Sequence, residues 1–152
     1  MKISALENKI PARKFPSIKE YKIEVNDEPI VSLSQRGLFV KSQYYKQGIP
    51  GSYKDCYARE TVTKKLIQAQ NNLPAGFKFL IFDAYRPICV QQRLWNYYRQ
   101  KIKNENPRLN DEELDFKTGF FVSKPSYDET HPSLHNTGGA VDLTICNYDG
   151  EM

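Results

Sequence analysis

From Gly139 to Ile145 apolar and polar residues alternate, with Val141, Leu143 and Ile145 on one face and Ala140, Asp142 and Thr144 on the other. A period of two predicts a half-buried strand, and it turns the Asp142 carboxylate away from the apolar side. Phe77 to Ala84 is a more continuously apolar run and predicts the central strand. Helical spacing occurs in two longer stretches. Arg59 to Leu73 places Val62, Leu66, Ile67 and Ala69 at helical intervals and is ended by Pro74-Ala75-Gly76. After Pro87, which suits a first helical turn, Val90, Leu94, Tyr98 and Ile102 form an inward stripe with Trp95 at its edge. Tyr21-Ile23-Val25 and Ile30-Val31-Leu33 predict two short strands around the Asn26-Asp27 turn. Asn110-Asp111-Glu112-Glu113 predicts a capped short helix, and Gly119 to Val122 a further strand. Gln43 to Tyr57, rich in Tyr, Gly and Pro, predicts a long loop beside a substrate cleft.

A chain of 152 residues suits one domain and can bury a real core. With 39% hydrophobic and 12% aromatic residues and a mean hydropathy of -0.65 the composition is globular. No apolar run approaches the roughly 20 residues needed to cross a bilayer, so no membrane span is expected. Met1 to Pro16 mixes Lys9, Arg13 and Lys14 with no apolar core, which is not the form of an intact secretory signal. The expected location is cytoplasmic, or periplasmic if a leader has been removed. Cys56, Cys89 and Cys146 are odd in number and lack a C-x-x-C pair, which predicts buried free thiols in a reducing compartment. The net charge of +4 raises nucleic-acid binding. The lysines are scattered, however, and the run Arg99 to Lys103 continues a helix, so a solvated helix face is expected and no nucleic-acid partner. Glu112, Glu113 and Asp115 are expected to be solvated as well.

The candidate chemistry lies in His135-Asn136-Thr137-Gly138-Gly139-Ala140-Val141-Asp142. Gly138-Gly139 permits a tight turn that returns the chain and lets it pass close to a neighbour. His135 can then hang over the strand beside Asp142. An imidazole nitrogen and a carboxylate oxygen are both suitable ligands for zinc, whose catalytic sites usually hold three protein ligands and one water. The spacing alone is equally compatible with a solvent-facing His and an Asp capping a turn. Likewise, Arg86 taken with Tyr85 and Pro87 alone is compatible with a structural arginine paired to Asp83 at a strand end.

Two segments carry a resemblance. SLHNTGGAVDLT, from Ser133 to Thr144, resembles the S-x-H-x-x-G-x-A-(V/I)-D-L-T signature of the zinc D-alanyl-D-alanine dipeptidases of the vancomycin-resistance type, related to lysostaphin and the hedgehog domain. Phe79 to Pro87 resembles the same family's strand ending in D-x-Y-R-P. Weaker echoes run from Gly48-Ile49-Pro50 through Tyr53, so the likeness spans about residue 20 to the end of the chain.

The resemblance implies zinc held by His135 and Asp142, Arg86 as the cation that stabilises the oxyanion, and Ser133 near the substrate. Asp83 would orient Arg86 from behind. It also implies a third ligand and a catalytic base from a later E-x-x-H segment, which the ten residues after Asp142 do not contain. The other histidine, His131, lies four residues before His135, but Pro132 between them argues for a loop. Glu151 follows a turn at Asp149-Gly150 and is expected to face solvent.

The fold expected is α+β, an antiparallel sheet with helices packed on one face and the metal site on the other, like the hedgehog and D,D-peptidase domains. Residues 1–152 are read as a single peptidase domain lacking its last segment, with zinc as cofactor and a small D-amino-acid dipeptide as substrate. The expected activity is hydrolysis of D-alanyl-D-alanine in cell-wall precursor metabolism. The alternatives are a D,D- or L,D-carboxypeptidase on peptidoglycan stem peptides and a non-catalytic peptide-binding module or pseudoenzyme. The sequence leaves the oligomeric state open.

Overall fold

The computed structural model describes residues 27–152. The strand expected at Tyr21-Ile23-Val25 lies outside them. The described chain is mixed α+β, with five strands and four α-helices in the order β1 (Ile30–Ser32), β2 (Phe39–Val40), α1 (Gln43–Lys46), β3 (Tyr57–Arg59), α2 (Glu60–Asn71), β4 (Phe77–Asp83), α3 (Ile88–Glu105), α4 (Asp111–Thr118) and β5 (Asp142–Asn147). A three-residue 3-10 turn, Ser34–Arg36, precedes β2, and another, Leu134–Thr137, precedes β5.

The strands form two sheets rather than one. β1 pairs antiparallel with β3, and the second sheet runs β2-β4-β5. β4 and β5 are antiparallel, but β2 lies parallel to β4 through Phe39↔Leu80 and Val40↔Ile81. The expected purely antiparallel sheet is therefore corrected to a mixed one. The parallel pairing is possible because β3 and α2 supply the long crossover it needs.

Leu33, Leu38, Cys56, Ala58, Ile81 and Ala84 form one buried core, closed by Val62, Leu66 and Ile67 of α2 and by Phe79, Val141 and Leu143 of the larger sheet. The alternation predicted for β5 holds at Val141 and Leu143. It fails at Ile145, which is exposed, while Cys146 on the opposite face is buried. On α2 the inward positions are Val62, Thr63, Leu66, Ile67 and Gln70, and Ala69 faces out. Gln70 lies inside because its Oε1 accepts the Phe79 backbone N–H at 3.0 Å, tying the helix to the start of β4.

A second core gathers Val90, Leu94, Trp95 and Val122 under Tyr44, Ile49 and Tyr98. Trp95 is buried inside it rather than at the edge. The helices are thus divided between two cores instead of sharing one face of one sheet. α4 starts at a capping box in which Asn110 Oδ1 accepts the Glu113 N–H and Glu113 Oε2 accepts the Asn110 N–H, as its sequence predicts. Arg99 of α3 donates to Asp115 at 2.7 Å and Asp111 at 2.6 Å, and Lys124 joins Asp115 at 2.8 Å. Asp115 and Arg99 are therefore partnered across the two helices, not simply solvated.

Gly119 to Val122 is a turn, not a strand. It overwinds the end of α4, with Phe121 N–H donating to Thr118 O at 3.0 Å, and only Val122 is buried while Phe120 and Phe121 stay exposed. Within the segment expected to be a loop, Gln43–Lys46 forms one helical turn. Of the three free thiols, Cys56 and Cys146 are buried and Cys89 is exposed, which corrects the expectation for Cys89. Burial pushes the Cys56 thiol up to about 12. No helix among the described residues is long and apolar enough to cross a membrane.

Candidate metal centre

β4 would, by strict alternation, turn Asp83 to the same side as Ile81, into the α2 core. A bulge prevents this. Ile81 pairs with Leu143 and Asp83 with Asp142, so Phe82 is skipped and the phase of the strand shifts by one residue. Asp83 thereby comes to the face that carries Asp142. Both carboxylates then lie at the end of the sheet where β4 leaves and β5 begins.

The chain leaving β4 is clasped by the segment that carries His135. Arg86 N–H donates to His135 O at 3.1 Å, Asn136 Nδ2 donates to Arg86 O, and His135 Nδ1 bonds Ala84 O at 2.8 Å. Asn136 Oδ1 is buried and has no partner among the described residues, so among them this side chain is held by its donor alone. Gly138 closes the turn at φ +70°, and a Cβ there would lie 3.3 Å from Ile30 Cδ1 and 3.4 Å from Arg59 N. Both reasons for a glycine expected from sequence, conformation and close approach, fall on Gly138. Its carbonyl accepts the Arg59 N–H at 3.0 Å, and Arg59 Nε donates to Thr137 O at 2.6 Å, anchoring the turn to β3.

Arg86 is buried and held from several sides. Its Nε and Nη2 donate to Asp83 Oδ2 at 2.9 and 2.6 Å, and Nη1 donates to Gln91 Oε1 at 2.6 Å. Gln91 in turn donates to Ser123 O at 2.6 Å, so α3 and the turn after α4 fix the guanidinium. Nη2 also donates to the Tyr44 hydroxyl at 3.2 Å, with the guanidinium carbon 4.8 Å from the Tyr44 ring centroid. Burial pushes the Asp83 carboxyl up, while the Arg86 charge and hydrogen bonds pull it down. Burial likewise raises the Tyr44 phenol, and Arg86 opposes that rise.

Asp83, His135 and Asp142 each bring a ligand atom within 4.8 Å of one another, a possible metal site. The three are not chemically equivalent. A carbonyl only accepts, so the bond from His135 Nδ1 to Ala84 O puts the proton on Nδ1 and leaves the Nε2 lone pair free. Nε2 lies 3.7 Å from Asp142 Oδ2. Two ligands at about 2.0–2.2 Å from one zinc ion can span that distance. Asp83 Oδ2 sits on the other edge of the ring, 3.3 Å from Nδ1, and already receives Arg86 twice. The donor set therefore fits a metal at His135 Nε2 and Asp142, with Asp83 and Ala84 O orienting the ring from behind, as partners of ligating histidines do.

Arg86 Nη2 is 3.6 Å from Asp142 Oδ2, so arginine, histidine and carboxylate lie side by side. Ser133 is half-buried at the start of the 3-10 turn, where its carbonyl accepts the Asn136 N–H at 2.9 Å. His131 is exposed and bonded through Nδ1 to Asp128 at 3.0 Å, outside the cluster. Glu151 accepts from Asn147 at the far end of β5 from Asp142. Sequence reasoning missed Tyr44 and Gln91. Neither sits in a motif, and only the contact of each with Arg86 reveals it.

An open groove of about 720 Å³ runs from Asp83 and Asp142 between Tyr44, Leu94, Tyr97 and Tyr98. No protein-family model matches the chain. A protein of Synechocystis sp. named D-alanyl-D-alanine dipeptidase is 27% identical to it over 137 residues. The likeness supports that family at a distant level. It covers 82% of this chain and 56% of the relative, so the chain spans about half the relative's length.

Proposed function

We propose that the chain carries the zinc-binding, substrate-polarising part of a D,D-dipeptidase that hydrolyses D-alanyl-D-alanine in cell-wall precursor metabolism. The observation that carries this reading is the His135 ring. Its Nδ1 is committed to Ala84 O, its Nε2 faces Asp142 Oδ2 at 3.7 Å, and Arg86 Nη2 is 3.6 Å from the same oxygen. The distant relative's name points to the same chemistry.

In this reading His135 and Asp142 hold zinc, and bound there it would supply the Lewis acidity that activates water near neutral pH and polarises an amide carbonyl. Arg86 holds a permanent positive charge beside that carboxylate, where negative charge develops on the substrate oxygen. Asp83 and Gln91 keep the guanidinium planar and stationary, so no reorganisation is needed as the charge appears. Asp83 Oδ2 receives Arg86 twice, so this carboxylate holds the guanidinium in place. Residues 1–152 are proposed to form a peptidase domain of hedgehog and D,D-peptidase type. Ser133 is proposed to line the substrate side of the turn, in the cytoplasm.

One feature favours a second reading, a carboxypeptidase on longer peptidoglycan stem peptides. The groove of about 720 Å³ leading away from Asp142 exceeds what a dipeptide fills. Zinc per chain by mass spectrometry, combined with alanine release from D-Ala-D-Ala and from stem pentapeptide, tests both readings. Zinc bound through His135 and alanine released from the dipeptide support the first. Release from the pentapeptide alone selects the second, and a chain that takes up no zinc removes both.

A further inference from the structure

The Tyr44 hydroxyl lies at the head of the groove, on a helical turn that none of the motifs includes. Tyr44 lines both the groove that reaches Asp142 and the small cavity beneath Arg86. Its oxygen is 3.2 Å from Arg86 Nη2, and Nη2 is 3.6 Å from Asp142 Oδ2. A guanidinium can only donate, so the phenolic oxygen is the acceptor in this bond and the O–H hydrogen must point elsewhere. Among the described residues that hydrogen has no acceptor. Tyr44 is half-buried, its ring packed against the second core, which fixes where the oxygen sits.

We propose that Tyr44 is a second oxyanion donor, whose O–H, aimed by Arg86, hydrogen-bonds the substrate carbonyl oxygen as that oxygen becomes negative. This rests on the amide-hydrolase reading above and deepens it. The bond from Arg86 polarises the phenol and makes it a stronger donor, so part of the arginine's charge is relayed through a neutral group. Such a relay suits this site because Arg86, paired with Asp83, shares its donors among three side chains. A donor that engages only the developing oxyanion favours the transition state over the bound substrate. The planar carbonyl of the substrate gains little from it.

Tyr44→Phe removes the hydroxyl and keeps the ring, its packing and its stacking on the guanidinium. Calorimetry on the zinc-loaded chain, with D-Ala-D-Ala and with its tetrahedral phosphinate analogue as the two probes, reads the difference. The proposal expects the variant to lose about ten- to a hundredfold in phosphinate affinity, with the dipeptide's affinity changed less than about twofold. Equal losses for both probes, or no loss for either, overturn it. Failure of the unmutated chain to bind either probe is a failure of the hydrolase reading itself, and the Tyr44 role falls with it. A measurement without mutation guards against misfolding: in chain labelled at tyrosine Cζ, the phosphinate should shift the Tyr44 resonance and the dipeptide should leave it in place. A Tyr44 resonance indifferent to the phosphinate overturns the proposal.

Discussion

The two sides of the His135 ring are built from the same groups and set in opposite surroundings. Behind it, at Nδ1, Asp83 is 11% exposed and Arg86 8%, and the Arg86 nitrogens, Asp83 Oδ2 and His135 Nδ1 are all committed to partners. In front, at Nε2, Asp142 is 55% exposed and takes only the looser approaches of His135 and Arg86, at 3.7 and 3.6 Å. A carboxylate that is buried and paired fixes geometry, whereas one that is open and loosely held is available to a ligand. The contrast predicts that damage behind the ring costs stability and damage in front costs binding.

The largest effect should follow Asp83→Ala, which leaves the Arg86 guanidinium buried without its counter-charge and is expected to lower the unfolding free energy by about 3–5 kcal/mol. Asp142→Ala should stay within about 0.5 kcal/mol of the parent. Urea melts of the two variants run side by side decide this, and equal losses would erase the distinction. Next, zinc affinity should fall more than about a hundredfold in Asp142→Ala and about ten- to a hundredfold in Asp83→Asn, where both ligands remain and the ring loses its orienting carboxylate. A chelator competition in which the order reverses would make Asp83 the ligand instead.

Asn136→Ala probes the clasp that joins the two sides. It removes the donor to Arg86 O and should cost about 1 kcal/mol. Stability unchanged in that variant would mean the backbone bonds alone hold the turn.

The smallest effect concerns the exposed segment leading to His135. Hydrogen bonds from Thr130 and His131 hold the Asp128 carboxyl down at about 2. A carboxyl depressed in the fold favours the folded turn above its ordinary unfolded value, and that contribution is lost as pH falls through about 2. The Thr130 amide, which donates to Asp128 Oδ1 at 2.8 Å, should keep its NMR shift and exchange protection down to that range. A transition at the usual carboxylate value would contradict it.

The front of the site was suggested in sequence by the resemblance of Ser133 to Thr144, since the spacing of His135 and Asp142 alone equally fits a solvent-facing His and an Asp capping a turn. The back was legible only in part. The pairing of Arg86 with Asp83 is three residues long and could be anticipated. The bulge at Phe82, which turns Asp83 out of the α2 core, has no signature in the nearly continuous apolar run Phe77 to Asp83 and arises from its pairing with β5. Tyr44 lay in a stretch whose Gly48, Pro50 and Gly51 give no periodic signal, so its approach to a residue 42 positions away was invisible. Gly119 to Val122 shows the opposite failure. Its two phenylalanines have the propensity of a strand, but no strand among the described residues pairs with them, and they form a turn that ends α4 instead.

The central claim, a histidine fixed at Nδ1 and open at Nε2 toward Asp142, is tested most directly by long-range 1H–15N NMR of the His135 ring before and after zinc is added. The account predicts the hydrogen of the free chain's ring on Nδ1, with zinc displacing the Nε2 resonance and sparing Nδ1. A ring protonated at Nε2, or one whose resonances ignore zinc, would contradict it.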